Sequence, residues 1–141
     1  MAIWQYEFHV IPKASIIDRY SHFVRKITDD EFNFFNWFEG WNKGTFIDSI
    51  TYLAKKQNHW DKNAEFFGEY EGDSVEVSSN KSGVYDIFMR IDLRTDYINM
   101  AKYMEKSIND NNLIIITIDF DVFEPKSGIL LSRIKKDRFF R

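Results

Sequence analysis

Hydrophobic positions change their period several times along this chain, and each change marks an element. From Ile3 to Ile11 they alternate, with Trp4, Tyr6, Phe8 and Val10 on one side and Gln5, Glu7 and His9 on the other. That is the period of a half-buried strand, and Pro12 ends it. Residues 13–27 carry no clear period and read as a loop with a short helix. Thr28 and Glu31 form a capping box, which starts a helix by exchanging bonds between side chains and free backbone N–H groups. That helix is expected to run through the densest aromatic stretch of the chain. There Phe34, Trp37, Phe38 and Trp41 follow i, i+3, i+4, i+7, Phe32 and Phe35 lie off the stripe, and Gly40 and Gly44 punctuate the end. Thr45 caps a second helix whose stripe is Phe46, Ile50, Leu53 and Ala54.

Beyond Gln57-Asn58 the pattern shifts to strands. Glu65 to Tyr70, Ser74 to Ser78 and Val84 to Leu93 read as three strands joined by the turn-forming segments 71–73 and 79–83. In the third, Tyr85, Ile87, Met89, Ile91 and Leu93 are expected to face inward, with Asp86, Phe88, Arg90, Asp92 and Arg94 outward. Thr95-Asp96 caps a third helix carrying Tyr97, Met100, Ala101, Met104 and Ile108, which ends at Asp110-Asn111-Asn112. Leu113 to Asp121 is a mostly apolar strand and therefore central, covered on both faces. Pro125 and Ser127 lead into a last helix with Ile129, Leu130 and Ile134. This order predicts one α+β domain over residues 1–141: a mixed, mostly antiparallel sheet of about five strands, with three to four helices packed largely on one face. A right-handed crossover spanning residues 84–121 would join two parallel strands and make the sheet mixed.

Composition narrows the class. With 141 residues the chain can bury a core without staples, and its 14 Phe, 7 Tyr and 4 Trp make that core unusually aromatic. The absence of cysteine excludes disulfides and cysteine zinc sites and fits a reducing cytoplasm. The first residues show no basic segment followed by an apolar run, and Leu113 to Ile118 is too short to cross a bilayer. A cytoplasmic location without membrane association is therefore expected. The net charge of -3 argues against generic nucleic-acid binding, which needs a basic field to release counterions. Charge is nevertheless uneven. Asp61 to Glu76 holds six acids against Lys62, and Lys126 to Arg141 holds six bases against Asp137. The basic end needs no ligand, since cations in the last turn of a helix are favoured by its dipole.

Two constellations carry candidate chemistry. Asp119 and Asp121 are two apart, which on one strand would point them to the same face, with Glu124 just beyond and Asp92 on the polar side of another strand. If those strands were neighbours, the carboxylates could converge on a hard cation such as magnesium and support a metal-dependent hydrolase. Cross-strand ion pairs with Arg90 and Arg94 are the preferred reading, because no lysine stands beside Asp119 or Asp121. The three histidines have no ligand spacing, and the six glycines form neither a phosphate loop nor a dinucleotide fingerprint. No cofactor or metal is expected.

The second constellation is Trp60, Asp61, Glu65, Glu69, Glu71, Asp73 and Glu76, interleaved with Phe66, Phe67 and Tyr70. Carboxylates around aromatic anchors suit a basic protein partner, charge steering the encounter and rings supplying the bound-state energy. Phe66 and Tyr70 share parity and would equally serve as the inward face of a strand. The aromatic helix of residues 31–41 either packs into the core or forms a homodimer face, and the core reading is preferred because helices apolar over most of their girth are usually interior.

Three landmarks carry a resemblance: Trp4-Gln5-Tyr6-Glu7-Phe8 ending in Ile11-Pro12, Trp60 followed by Phe67-Gly68-Glu69 and Gly72-Asp73-Ser74-Val75-Glu76-Val77, and Arg90-Ile91-Asp92-Leu93-Arg94 before an amphipathic helix. Together they resemble small single-domain bacterial proteins similar in style to immunity proteins of interbacterial toxin systems. The resemblance covers most of the chain and implies a stoichiometric inhibitor of a toxin made by the same cell. Its motifs are structural, and no functional residue carries over from it.

Overall fold

A computed structural model describes residues 4–138. Ile3, the expected start of the first strand, and Arg141 of the basic cluster lie outside these residues. The element order is β1 (Gln5–Pro12), α1 (Lys13–Tyr20), α2 (Asp29–Phe34), α3 (Gly44–Ser49), β2 (Ala64–Gly68), β3 (Ser74–Asn80), β4 (Gly83–Asp92), α4 (Tyr97–Asp110), β5 (Leu113–Thr117), β6 (Val122–Phe123) and α5 (Ile129–Arg138). The fold is α+β. The six strands form one sheet in the order β2-β3-β4-β1-β5-β6, and every neighbouring pair is antiparallel. Strands β4 and β5 do run in the same direction and are joined through α4, but β1 lies between them. The first strand of the chain thus occupies the centre of the sheet.

Registry sorts the side chains into two faces, since residues directly opposite in a ladder point the same way. Tyr6 opposes Ile91, Phe8 opposes Met89 and Thr117, and Val10 opposes Ile115. These belong to the face covered by α4 and α5; Tyr6, for example, donates from its hydroxyl to Asp137 of α5 at 2.8 Å. Helix α3 lies against α4, where Ser49 and Ser107 hydroxyls meet at 2.7 Å. Burial there is nearly complete: Phe8, Phe46, Met89, Ile91, Met104 and Ile115 are all at 0% exposure. Each such side chain contributes roughly 1.5–3 kcal/mol through removal of apolar surface from water. The opposite face is part polar. It carries the Glu7–Arg90 ion pair at 2.7 Å and the His9–Asp86 contact at 2.7 Å; its β1–β5 side is covered by the aromatic segment after Thr28, and Phe66 of β2 by His59.

Four expected elements change shape. The capping box forms as expected, with Thr28 and Glu31 exchanging bonds, but the helix stops at Phe34 and Phe35 is extended (φ -82, ψ 145). Trp37 and Phe38 then enter the core from a turn, and the Trp37 indole donates back to the Phe32 carbonyl at 2.9 Å. Helix α3 ends at Ser49, so Leu53 and Ala54 are not on it, and its entry is fixed by Asn42 accepting from the Gly44 N–H. A bulge at Ser78/Ser79 skips Tyr85 in the β3–β4 ladder, which turns Val84 inward and leaves Tyr85 54% exposed. The long strand expected over 113–121 breaks after Thr117: the chain turns through Phe120 (φ 66) and returns as β6. The ambiguous segment after Pro12 contains α1, whose Ile16 is fully buried.

Candidate functional site

The turn after β5 decides the fate of the strand-end carboxylates. Asp119 sits in the turn and Asp121 on the returning chain, so they do not share one strand face. Asp121 is held by Arg133 at 2.9 Å and Lys26 at 3.0 Å, and the Arg133 hydrogen bond, with help from Lys26, lowers its pKa. Glu124 pairs with Lys13 and with Lys126 at 3.0 Å, and those contacts lower its pKa too. Asp92 belongs to β4, three strands from β6 and therefore at least about 14 Å away across the sheet. Its carboxylate is clamped by Arg94 at 3.0 Å, which lowers its pKa. Among the described residues, no group of three or more His, Cys, Asp or Glu side chains is arranged to hold a metal ion. Asp121, Glu124 and Asp92 are brought to separate ion pairs, and among the described residues Asp119 offers only its backbone carbonyl, to Lys26.

The acidic segment of residues 60–76 is divided by the strand that it contains. Glu65 opposes Val77 on the packed face, at its edge, with Lys43 at 2.7 Å and Lys55 at 3.0 Å. Burial pushes Glu65 up, but the two lysines outweigh it and leave its pKa lowered. Glu76 opposes Phe66 on the other face. Glu69 pairs with Lys56 at 3.2 Å. Asp61 accepts the Asn63 N–H at 2.9 Å, and Asp73 accepts the Asp92 N–H at 2.7 Å. Burial raises the Asp73 pKa. Glu71 is exposed in the turn. The run is less negative in space than along the chain, because Lys43, Lys55 and Lys56 come from outside it.

What the fold does assemble from this segment is an aromatic platform. His59 is 5% exposed, its Nδ1 lies 3.0 Å from the Tyr70 hydroxyl and its Nε2 lies 2.7 Å from a Glu76 carboxylate oxygen. The imidazole stacks on Phe66 (5.0 Å between centroids) and on Tyr70 (5.6 Å), and Phe66 and Tyr70 are 4.7 Å apart. Trp60 tilts against the outer side of this stack, 5.5 Å from His59, and remains 77% exposed. Lys56 lies over Tyr70 at 5.0 Å, which links the stack to Glu69. The sequence order Trp60…Tyr70 pointed to the rings, but His59 as their keystone was missed, since its partners lie 11 and 17 residues away.

The aromatic stretch of residues 31–41 is mostly spent on the core. Trp37 and Phe38 are 4% exposed, Phe32, Phe35 and Trp41 are half-buried, and Phe34 projects at 83% exposure. Beside it opens a cleft of about 670 Å³ between the aromatic segment and the polar sheet face, lined among others by His9, Phe32, Phe34, Tyr85, Asp86 and Phe120. No helix among the described residues is long and apolar enough to cross a membrane. No known family, curated protein or solved structure matches this chain.

Proposed function

We propose that this chain is a non-catalytic protein-binding module whose contact surface is centred on Trp60. The observation that supports this reading is the pairing of 77% exposure with a rigid base: Trp60 leans on a ring stack locked by His59, Tyr70 and Glu76. A large ring that is already fixed loses little side-chain entropy when a partner covers it, so most of its apolar area becomes binding energy. A mobile exposed tryptophan would lose more. Acids of the same segment favour a basic partner: Asp61 adjoins Trp60 and Glu71 is exposed in the turn. With the resemblance to immunity proteins, the reading extends to a cytoplasmic inhibitor that occludes a toxin domain made in the same cell.

The test is site-specific photo-crosslinking in the native cell. A photoreactive phenylalanine at Lys62, beside Trp60, should give one discrete adduct that Trp60→Ala abolishes, whereas the same label at Lys102 on α4 should give none. Equal labelling from both positions, or an adduct indifferent to Trp60, rules this surface out.

A further inference from the structure

We propose that the cleft beside Phe34 is a binding site for an organic cation of the guanidinium or amidinium class, separate from the Trp60 surface. Its chemistry is one-sided. Asp29 and Asp86 are its acids, and no Lys or Arg is among the described residues that line it. Lys81, between the lining residues Asn80 and Ser82, faces the neighbouring depression with Lys43 and Lys62. Ring faces come from Phe32, Phe34, Tyr85 and Phe120, and two of those rings are left in solvent, Phe34 at 83% and Tyr85 at 54% exposure. The volume of about 670 Å³ is in the range of small-molecule sites.

The carboxylate at the cleft is positioned and only half used. Asp86 Oδ1 lies 2.7 Å from His9 Nδ1, and the His9 ring is itself held between Phe32 and Phe88 at 4.9 Å from each. Asp86 Oδ2 has no hydrogen-bond partner among the described residues and its side chain is 32% exposed, so one oxygen is free to accept from a ligand. A planar cation fits both elements: its N–H groups bond a carboxylate, and its face stacks on aromatic rings. The molecule already makes the stacking half of that contact at the cleft's margin, where the Arg19 guanidinium, itself outside the lining, lies 3.8 Å from the ring centroid of Phe35. A bulge that turns Tyr85 outward next to Asp86 is what creates the second wall. The same chemistry is presented by a free small cation or by an arginine side chain on a bound polypeptide.

The experiment titrates the intact chain with benzamidine and its neutral isostere benzamide, following backbone amide shifts by NMR. Benzamidine should move the resonances of Phe34, Tyr85 and Asp86 in a saturable way, and benzamide should bind at least about fivefold more weakly. Asp86→Asn keeps an acceptor for His9 and should remove the preference for the charged probe; Phe34→Ala, at an exposed position that does not threaten folding, should weaken benzamidine by a similar factor. N-acetyl-arginine methylamide in a parallel titration separates the two sources: binding equal to or tighter than benzamidine assigns the cleft to an arginine side chain, and weaker binding assigns it to a free aryl cation. Equal affinity for benzamidine and benzamide, shifts centred elsewhere, or no saturable shift with any of the cations overturns the site. None of these outcomes depends on Trp60, so the two surfaces stand or fall separately.

Discussion

His59 Nε2 lies 2.7 Å from a Glu76 carboxylate oxygen, and that contact ties the irregular segment before β2 to β3. Because the imidazole is 5% exposed and bridges the Tyr70 hydroxyl and the Glu76 carboxylate, removing it leaves a hole in the ring stack and breaks both contacts. His59→Ala should therefore cost about 2–3 kcal/mol in urea unfolding, whereas Trp60→Ala should stay within about 0.5 kcal/mol of the parent. The indole N–H resonance of Trp60 should also sharpen toward that of a mobile side chain in His59→Ala. A His59→Ala protein with unchanged midpoint and unchanged indole signal contradicts the rigid-platform reading.

Gly68 ends β2 with φ +98, and a Cβ built there would stand 2.1 Å from the Asp73 carbonyl oxygen. No side chain fits without moving the 69–73 turn, which also holds Asp73 against the Asp92 N–H. Gly68→Ala should lose more than about 2 kcal/mol in the same assay, combining a strained backbone with a direct clash. Gly83, also at positive φ (+111) but with open space around its Cβ position, should lose only the conformational part when changed to alanine, about 1 kcal/mol. Equal losses at the two positions would show that the close approach at Gly68 has no cost.

Acid stability follows from the ion pairs that dismantled the expected carboxylate cluster. Asp121, Glu124 and Asp92 have pKa values lowered by Arg133, Lys13 and Arg94 respectively. A lowered folded-state value means that the folded chain binds fewer protons, so the stabilisation is complete above the unfolded value and lost as pH falls through the folded one. Asp73 has the opposite sign: burial raises its pKa, so its favourable contribution exists at low pH and is lost as pH rises through the folded value. The melting temperature should therefore drop steeply below about pH 4. Asp121→Asn should flatten that drop. Asp73→Asn, which keeps an acceptor for the Asp92 N–H, should raise the melting temperature at neutral pH and converge with the parent in acid. Parallel profiles for all three proteins would refute these assignments.

Local signals were readable where a few adjacent residues settle them. The Thr28–Glu31 capping box, the α4 stripe of Ala101, Met104 and Ile108, and the β4 alternation from Ile87 to Ile91 all form as the residue pattern predicts. The aromatic helix did not, because a run of rings satisfies helical spacing whether or not the backbone continues; here Trp37 reaches the core from a turn instead. Asp119 and Asp121 misled for a related reason. Parity is informative only within one strand, and the reversal at Phe120 is not marked by glycine or proline. The pairs Lys13–Glu124 and Arg133–Asp121, and the Lys43–Glu65 contact that removes charge from the acidic segment, join elements distant along the chain. Only the tertiary packing brings them together, and that packing was not legible.

Calorimetric titration of the protein that crosslinks beside Trp60, purified and added to the wild-type chain and to Trp60→Ala, measures the proposed function most directly. Binding should be stoichiometric, and Trp60→Ala should weaken it at least about thirtyfold, the loss of a 2 kcal/mol anchor. Affinity unchanged by removal of that indole would contradict a contact surface built on Trp60.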